Sequence, residues 1–170
     1  YKEVLKAYDN GLEVPEDITM VWCDDNHGYI MRLSNPEEQK RSGGGGVYYH
    51  ISYWGKPHDY LWLASTQPGL IYTEMKRAWD NNAQRLWILN VGDIKPGEYL
   101  TEFFLDMAWN IDAFSGNTIY AHQQNWTMNT FGHHASEEIH TLMKQYYHLA
   151  GHRKPEHLGW NNVEEWSKGY

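Results

Sequence analysis

Residues 18–26 read Ile-Thr-Met-Val-Trp-Cys-Asp-Asp-Asn: an apolar run of strand length that stops abruptly in two acids and an amide. A strand apolar on both faces reads as a buried parallel strand more readily than as an edge strand. Two further stretches repeat the pattern. Val47-Tyr-Tyr-His-Ile-Ser-Tyr53 and Arg85-Leu-Trp-Ile-Leu-Asn-Val91 are strand-like, and the third is followed by Gly92-Asp93. Between and around them the periodicity is helical: 1–11, with Val4, Leu5, Tyr8 and Leu12 on one face and Gly11 as a stop; 69–82; and 99–109. Strands alternating with helices make right-handed βα units and a parallel sheet. Beyond Asn110 the pattern is helical only, near 118–130, 135–150 and 162–168. The Ser42-Gly-Gly-Gly-Gly46 run lacks the Lys-Ser/Thr of a phosphate loop and precedes a strand, so it reads as a mobile or tightly turning loop.

Composition narrows the function. The 170 residues carry a net charge of -8, which argues against nucleic-acid binding. No apolar run approaches the roughly 18 residues of a membrane span. One cysteine, Cys23, excludes an internal disulfide and a cysteine-built zinc site. Nine Trp and thirteen Tyr against four Phe supply flat faces with polar edges, suited to ligand surfaces as well as to a core. The chain opens in helical text without an initiator Met, which reads as a piece of something longer.

In parallel α/β architectures the functional groups lie at the carboxyl ends of the strands. All three strands end there in polar residues: Asp24, Asp25 and Asn26; His50 with Tyr53; Asn90 with Asp93. Any one set is explained by turn capping, but three together describe one polar rim. Glu137-x-x-His140 with His133, His134 and His148 has the spacing of a bundle metal site but lacks the second pair such a site needs, so neither a metal nor a cofactor is expected. Asn125-Trp126-Thr127 fits a glycosylation triplet, relevant only in a eukaryotic secretory setting.

Three segments together carry a resemblance: VPEDITMVWCDDNHGYIMRL (14–33), SGGGGVYYHISYWG (42–55) and RLWILNVGDIKPGEYLTEFFLDMAW (85–109). They resemble the catalytic region of glycoside hydrolase family 115, and the tail from His133 to Leu158 is similar to the helical stretch that follows the barrel there. The resemblance implies α-glucuronidases that remove glucuronic acid, or its 4-O-methyl ether, from xylan by inverting acid/base hydrolysis. It implies an α/β fold: a partial (β/α)8 TIM barrel of about three parallel strands, with residues 1–112 its carboxyl-terminal half and 113–170 a helical segment. A whole barrel takes about 250 residues, so this chain alone is expected to be inactive.

By position, the resemblance implies Glu3 as catalytic acid, with Asp24 or Asp25, or a carboxylate upstream, as base. Asp24, Asp25, Asn26, His50, Tyr53 and Asn90 would bind the sugar. Trp22 or Trp54 would stack on it, and Arg32 or an arginine elsewhere would meet the uronate carboxylate. Independently of the resemblance, Glu3 starts a helix that runs into a strand, so it faces the carboxyl rim, although an acid is also favoured there by the helix dipole. His27-Gly28 departs from the family pattern, which more often has an aromatic residue in this loop. The partners implied are glucuronoxylan or its oligosaccharides and the remainder of a parent enzyme, itself a homodimer, secreted or periplasmic. Two alternatives compete: a non-catalytic carbohydrate-binding or interaction module derived from such a barrel, and a metal-dependent enzyme using the histidines.

Overall fold

Apolar runs and helical repeats condense into alternating strands and helices. The computed structural model describes residues 2–56 and 58–158. Helix α1 spans Lys2–Asp9 and strand β1 Met20–Cys23. Then come β2 (Gly45–His50), α2 (Pro68–Asp80), β3 (Leu86–Asn90) and α3 (Ile94–Trp109). Helices α4 (Ile119–Phe131) and α5 (His133–His152) close the order. The three strands lie in the order β1-β2-β3 and both pairings are parallel, so the chain builds a partial (β/α)8 barrel followed by helices. The helix expected near 162–168 lies outside the described residues.

The boundaries follow local chemistry. Gly11 ends α1 as expected, with Gly11 N–H on the Tyr8 carbonyl and Leu12 N–H on the Ala7 carbonyl, the paired bonds of a Schellman turn. α3 starts five residues earlier than the expected Tyr99. Pro96 and Gly97 look like breakers, but Pro96 falls in the first turn, where a missing N–H is not needed. β2 stops at His50, short of Tyr53, because Tyr53 turns away to pair antiparallel with Tyr60.

The core lies between sheet and helices. Val47, Tyr49 and Ile51 of β2 and its extension face Ile71, Met75 and Ala78 of α2 and Leu100, Phe103, Phe104 and Met107 of α3, all buried. Tyr99 carries that core into the later helices: its ring lies 5.2 Å from Trp126 and 5.9 Å from Tyr147. Residues from both halves of the chain therefore share one apolar cluster. The opposite face of the sheet differs from the expectation of strands buried on both sides. Gly46–Leu86 and Tyr48–Ile88 are register partners there, and Leu86 and Ile88 are 44% and 41% exposed. In a (β/α)8 arrangement this is the face that looks into the barrel, and among the described residues it is open.

The glycine run is a tight connection. Gly43 N–H donates to the Glu16 carbonyl at 2.8 Å, and a Cβ on Gly43 would overlap the backbone of Ile18. Gly43→Ala should therefore cost about 1–3 kcal/mol through forced displacement of the chain before β1. A denaturant melt of the folded protein checks it, and an unchanged midpoint would show that the 16–18 segment gives way freely.

Candidate active site

The rim begins where β1 leaves the ladder. The Asp24 amide still donates to the Tyr48 carbonyl, at 3.4 Å. The next rung is different: the His50 amide donates to Asp24 Oδ2 at 3.1 Å, so a carboxylate stands where a backbone carbonyl would. Asp24 Oδ1 lies 2.5 Å from His50 Nδ1 and also accepts the Asn26 amide at 3.1 Å. The two side chains are 0% and 2% exposed, Asp24 and His50 respectively. Facing a carboxylate, Nδ1 carries the hydrogen, which fixes the imidazole's tautomer and tilt. Asp24 is thus enclosed and fully engaged, and it works here as the holder of His50.

The loop after β1 is built to one shape. Asn26 has φ 71° and Gly28 φ 94°. Asp25 Oδ1 accepts the amides of His27 (2.9 Å) and Tyr29 (3.1 Å), so Asp25 is turned onto its own loop. The Tyr49 hydroxyl, rising from the core, donates to the Gly28 carbonyl at 2.9 Å, and Tyr60 donates to the Asn26 carbonyl. A Cβ at Gly28 would stand 2.8 Å from the Tyr49 oxygen, so the positive φ and this tyrosine together demand glycine. Burial, with the nearby Asp24 and Asp25 carboxylates, drives the Tyr60 phenol well above its usual pKa, so it stays a donor.

Around this loop the rings gather. Tyr53 packs edge-on to His50 at 5.8 Å, and His27 stacks on Tyr60 at 5.6 Å. His157, from the turn Pro155–His157 after α5, meets His27 at 5.8 Å and His58 at 5.2 Å. Burial holds the His27 imidazole below its usual pKa. Burial, followed by His27 and His58, pushes His157 down to about 4, so both rings are neutral near pH 7. Asn90 is the register partner of His50 and its carbonyl accepts the Ile51 amide at 3.1 Å. Its half-buried side-chain amide has no hydrogen-bond partner among the described residues.

Asp24, Asn26, His50, Tyr53 and Asn90 are therefore brought to one rim. Glu3 lies on the neighbouring helix. The last turns of α1 are pinned: Tyr8 packs edge-on to Trp22 at 6.1 Å, and the Arg32 guanidinium lies 4.2 Å over Trp22 and bridges Asp9 (3.3 Å) and Glu38 (2.8 Å). Glu3 is exposed in the first turn, five residues and about 7.5 Å along the axis from Tyr8. Asp24 lies two residues beyond Trp22, about 6.6 Å along the strand. Trp22 is in the core and Arg32 is committed beside it, so neither faces a sugar, whereas Trp54 is 81% exposed beside Tyr53. No group of three His, Cys, Asp or Glu able to hold a metal occurs among the described residues.

Tyr49, Tyr60 and His157 escaped the sequence reading. A Tyr in a strand reads as core, and nothing in the chain order brings residue 157 to residue 27. The His152-Arg153-Lys154 run before Pro155 is the one available signal.

The family model for glycosyl hydrolase family 115 matches residues 1–157. A solved structure of a GH115 4-O-methyl-α-glucuronidase, described as having specificity for decorated arabinogalactans, superposes with a TM-score of 0.89. It is 53% identical over 94% of this chain, and the chain spans 21% of that structure's length. No curated protein gives a significant match.

Proposed function

Because the chain belongs to glycoside hydrolase family 115, we propose that it supplies one sector of the active site of an α-glucuronidase, which releases glucuronic acid or its 4-O-methyl ether from a branched plant polysaccharide. The observation that carries this reading is the convergence of His50, Tyr53, Asn26 and Asn90 at the carboxyl ends of adjacent strands. Residues 1–112 form the barrel sector and 113–158 the helical segment packed on it. The remaining strands belong to the same barrel in the full-length protein.

Inverting hydrolysis needs two carboxyl groups about 6.5–9.5 Å apart, one to protonate the leaving oxygen and one to activate water. Glu3 is the acid in this reading: it is exposed, and a proton on it can reach a glycosidic oxygen at the rim. Asp24 is enclosed against His50, and Asp25 is turned onto its loop. The base therefore comes from another strand of the barrel. Asp24 becomes the positioning residue of His50, and Asn90, Asn26 and Tyr53 meet the sugar hydroxyls and ring. A substrate of glucuronoxylan type and a decorated arabinogalactan both present the same terminal uronate. The enzyme acts outside the cytoplasm, where such polymers occur.

The full-length protein, incubated with glucuronoxylan and with a uronate-decorated arabinogalactan, should release free glucuronic acid or its 4-O-methyl ether, first formed as the inverted anomer by proton NMR. No release from either polymer would sink the reading. The retained anomer would sink the assignment of roles.

A further inference from the structure

Beside the rim, but outside it, lies a polar cleft of about 940 Å³ between the β1 loop, the start of α2 and the end of α5. His27 and Tyr29 form one wall, Gln67 and Leu70 a second, and Arg153 and Lys154 a third. The chemistry of these walls is uneven. Lys154 is largely buried, and its ammonium donates to Thr66 Oγ1 at 3.1 Å and Ser65 Oγ at 3.4 Å while lying 4.2 Å over the Tyr60 ring. Its contacts are thus hydroxyls and a ring face, with no carboxylate bonded to it among the described residues. Among the described residues the one acid in the cleft wall is Glu74, and it is spent elsewhere: it accepts the Ile30 amide at 2.8 Å and pairs with Arg77 at 2.5 Å. The Glu156 carboxylate is near enough to act on the Lys154 charge but makes no bond to it among the described residues. A desolvated cation whose bonded partners are all neutral gains from an anion that enters and pairs with it.

The rest of the cleft suits a polyhydroxylated ligand. His27 is a neutral imidazole on the wall, and Gln67 offers a half-buried amide. Tyr29 is 51% exposed at the lip and presents a flat face of the kind sugar rings pack on. Lys154 is the enclosed cation; Arg153 lines the edge, exposed, with its Nε donating to the His157 carbonyl at 2.9 Å. One desolvated cation, neutral hydrogen-bonding groups and an aromatic lip describe a sugar acid better than a phosphate, which gains most where several cations converge.

We propose that this cleft is a second acidic-sugar site, which holds a uronate on another branch of the polysaccharide with its carboxylate on Lys154 while the first uronate occupies the rim. The choice of a uronate among carboxylates rests on the α-glucuronidase reading above. The site would favour densely decorated polymers over singly decorated oligosaccharides.

Lys154 also gives the site a pH signature. Burial lowers its pKa to about 8, only partly offset by Glu156. Tyr60, Glu156, Arg153, His157 and His27 are the titratable and charged groups around it. Above pH 8 the free cleft has lost the proton that the uronate needs, so affinity falls as pH rises, by about tenfold per unit.

The test is calorimetric titration of the full-length protein with glucuronic acid, with glucose and with inorganic phosphate. Two binding events are expected for glucuronic acid. Lys154→Met should weaken one at least about tenfold and leave the other, and Asn90→Ala should do the reverse. Lys154→Gln, which keeps hydrogen bonding to Ser65 and Thr66, serves if the Met variant melts early. Loss of the Asn90-sensitive event alone would overturn the α-glucuronidase reading and leave the cleft standing. The proposal itself falls if both events survive in a folded Lys154 variant, if glucose binds the cleft as well as glucuronic acid does, if phosphate displaces the uronate at equal concentration, or if the Lys154-sensitive event keeps its affinity between pH 8 and 10.

Discussion

Glu3→Gln in the full-length protein should lower turnover about 10²–10⁴-fold, the usual contribution of general acid catalysis. The substitution keeps the size and hydrogen-bonding shape of the side chain and removes only the transferable proton. Glu3 is exposed, and α1 is held at its other end by Tyr8, Trp22 and Arg32. The lost interaction with the helix dipole should contribute about 0.3–1 kcal/mol to any change in stability. The measurement is single-turnover release from a defined glucurono-oligosaccharide, with binding followed separately. A leaving group that needs no protonation, such as an activated aryl glucuronide, should recover much of the rate. Activity within a factor of two of the unaltered protein on the natural linkage would remove Glu3 from the acid role.

The second large effect falls on stability. Asp24→Ala leaves three donors, the His50 amide, His50 Nδ1 and the Asn26 amide, without their acceptor in a site closed to water. Breaking such a buried pair should cost about 3–5 kcal/mol. His50→Ala should cost a similar amount, because it strands the Asp24 carboxylate. Asn90→Ala is the control. Its amide holds no partner among the described residues, so it should melt normally and lose at least about tenfold in kcat/KM. Urea unfolding of the three variants, together with the Asp24→Ala/His50→Ala double variant, separates the cases. The cycle should return a coupling of at least about 1 kcal/mol. An Asp24→Ala protein as stable as its parent would show that the pair does not anchor the rim.

From the sequence, His50 and Asn90 look alike: each is a polar residue closing an apolar strand. The structure separates them by burial and by partner. His50 is sealed against Asp24, and Asn90 is turned to the open side of the sheet. Chain order carries no trace of that difference, because the partner lies 26 residues away and reaches His50 only when β1 leaves the ladder one residue early. Arg32 makes the same point. A lone arginine after the first strand invites a role on a uronate, yet Asp9, Glu38 and the Trp22 face claim it. The cationic group that reaches the neighbourhood of the rim is Lys154, carried there by the return of α5.

The sequence by itself determined the parallel β/α order and the polar ends of the strands, because these rest on local periodicity and residue types, and it carried the family through the resemblance of segments 14–33, 42–55 and 85–109. Strand limits shifted by only a few residues where a side-chain contact, such as the Tyr53–Tyr60 pairing, outcompeted the ladder. Only the tertiary structure decided which polar residue is enclosed and which is presented, that Tyr49 and Tyr60 fasten the β1 loop, and that residues 150–157 line a second polar cleft beside the first. Those outcomes depend on desolvation and on contacts between residues as many as 130 positions apart, His27 and His157 among them. A group's cost or use in the folded state is set by what surrounds it there, and its neighbours in the chain do not record that.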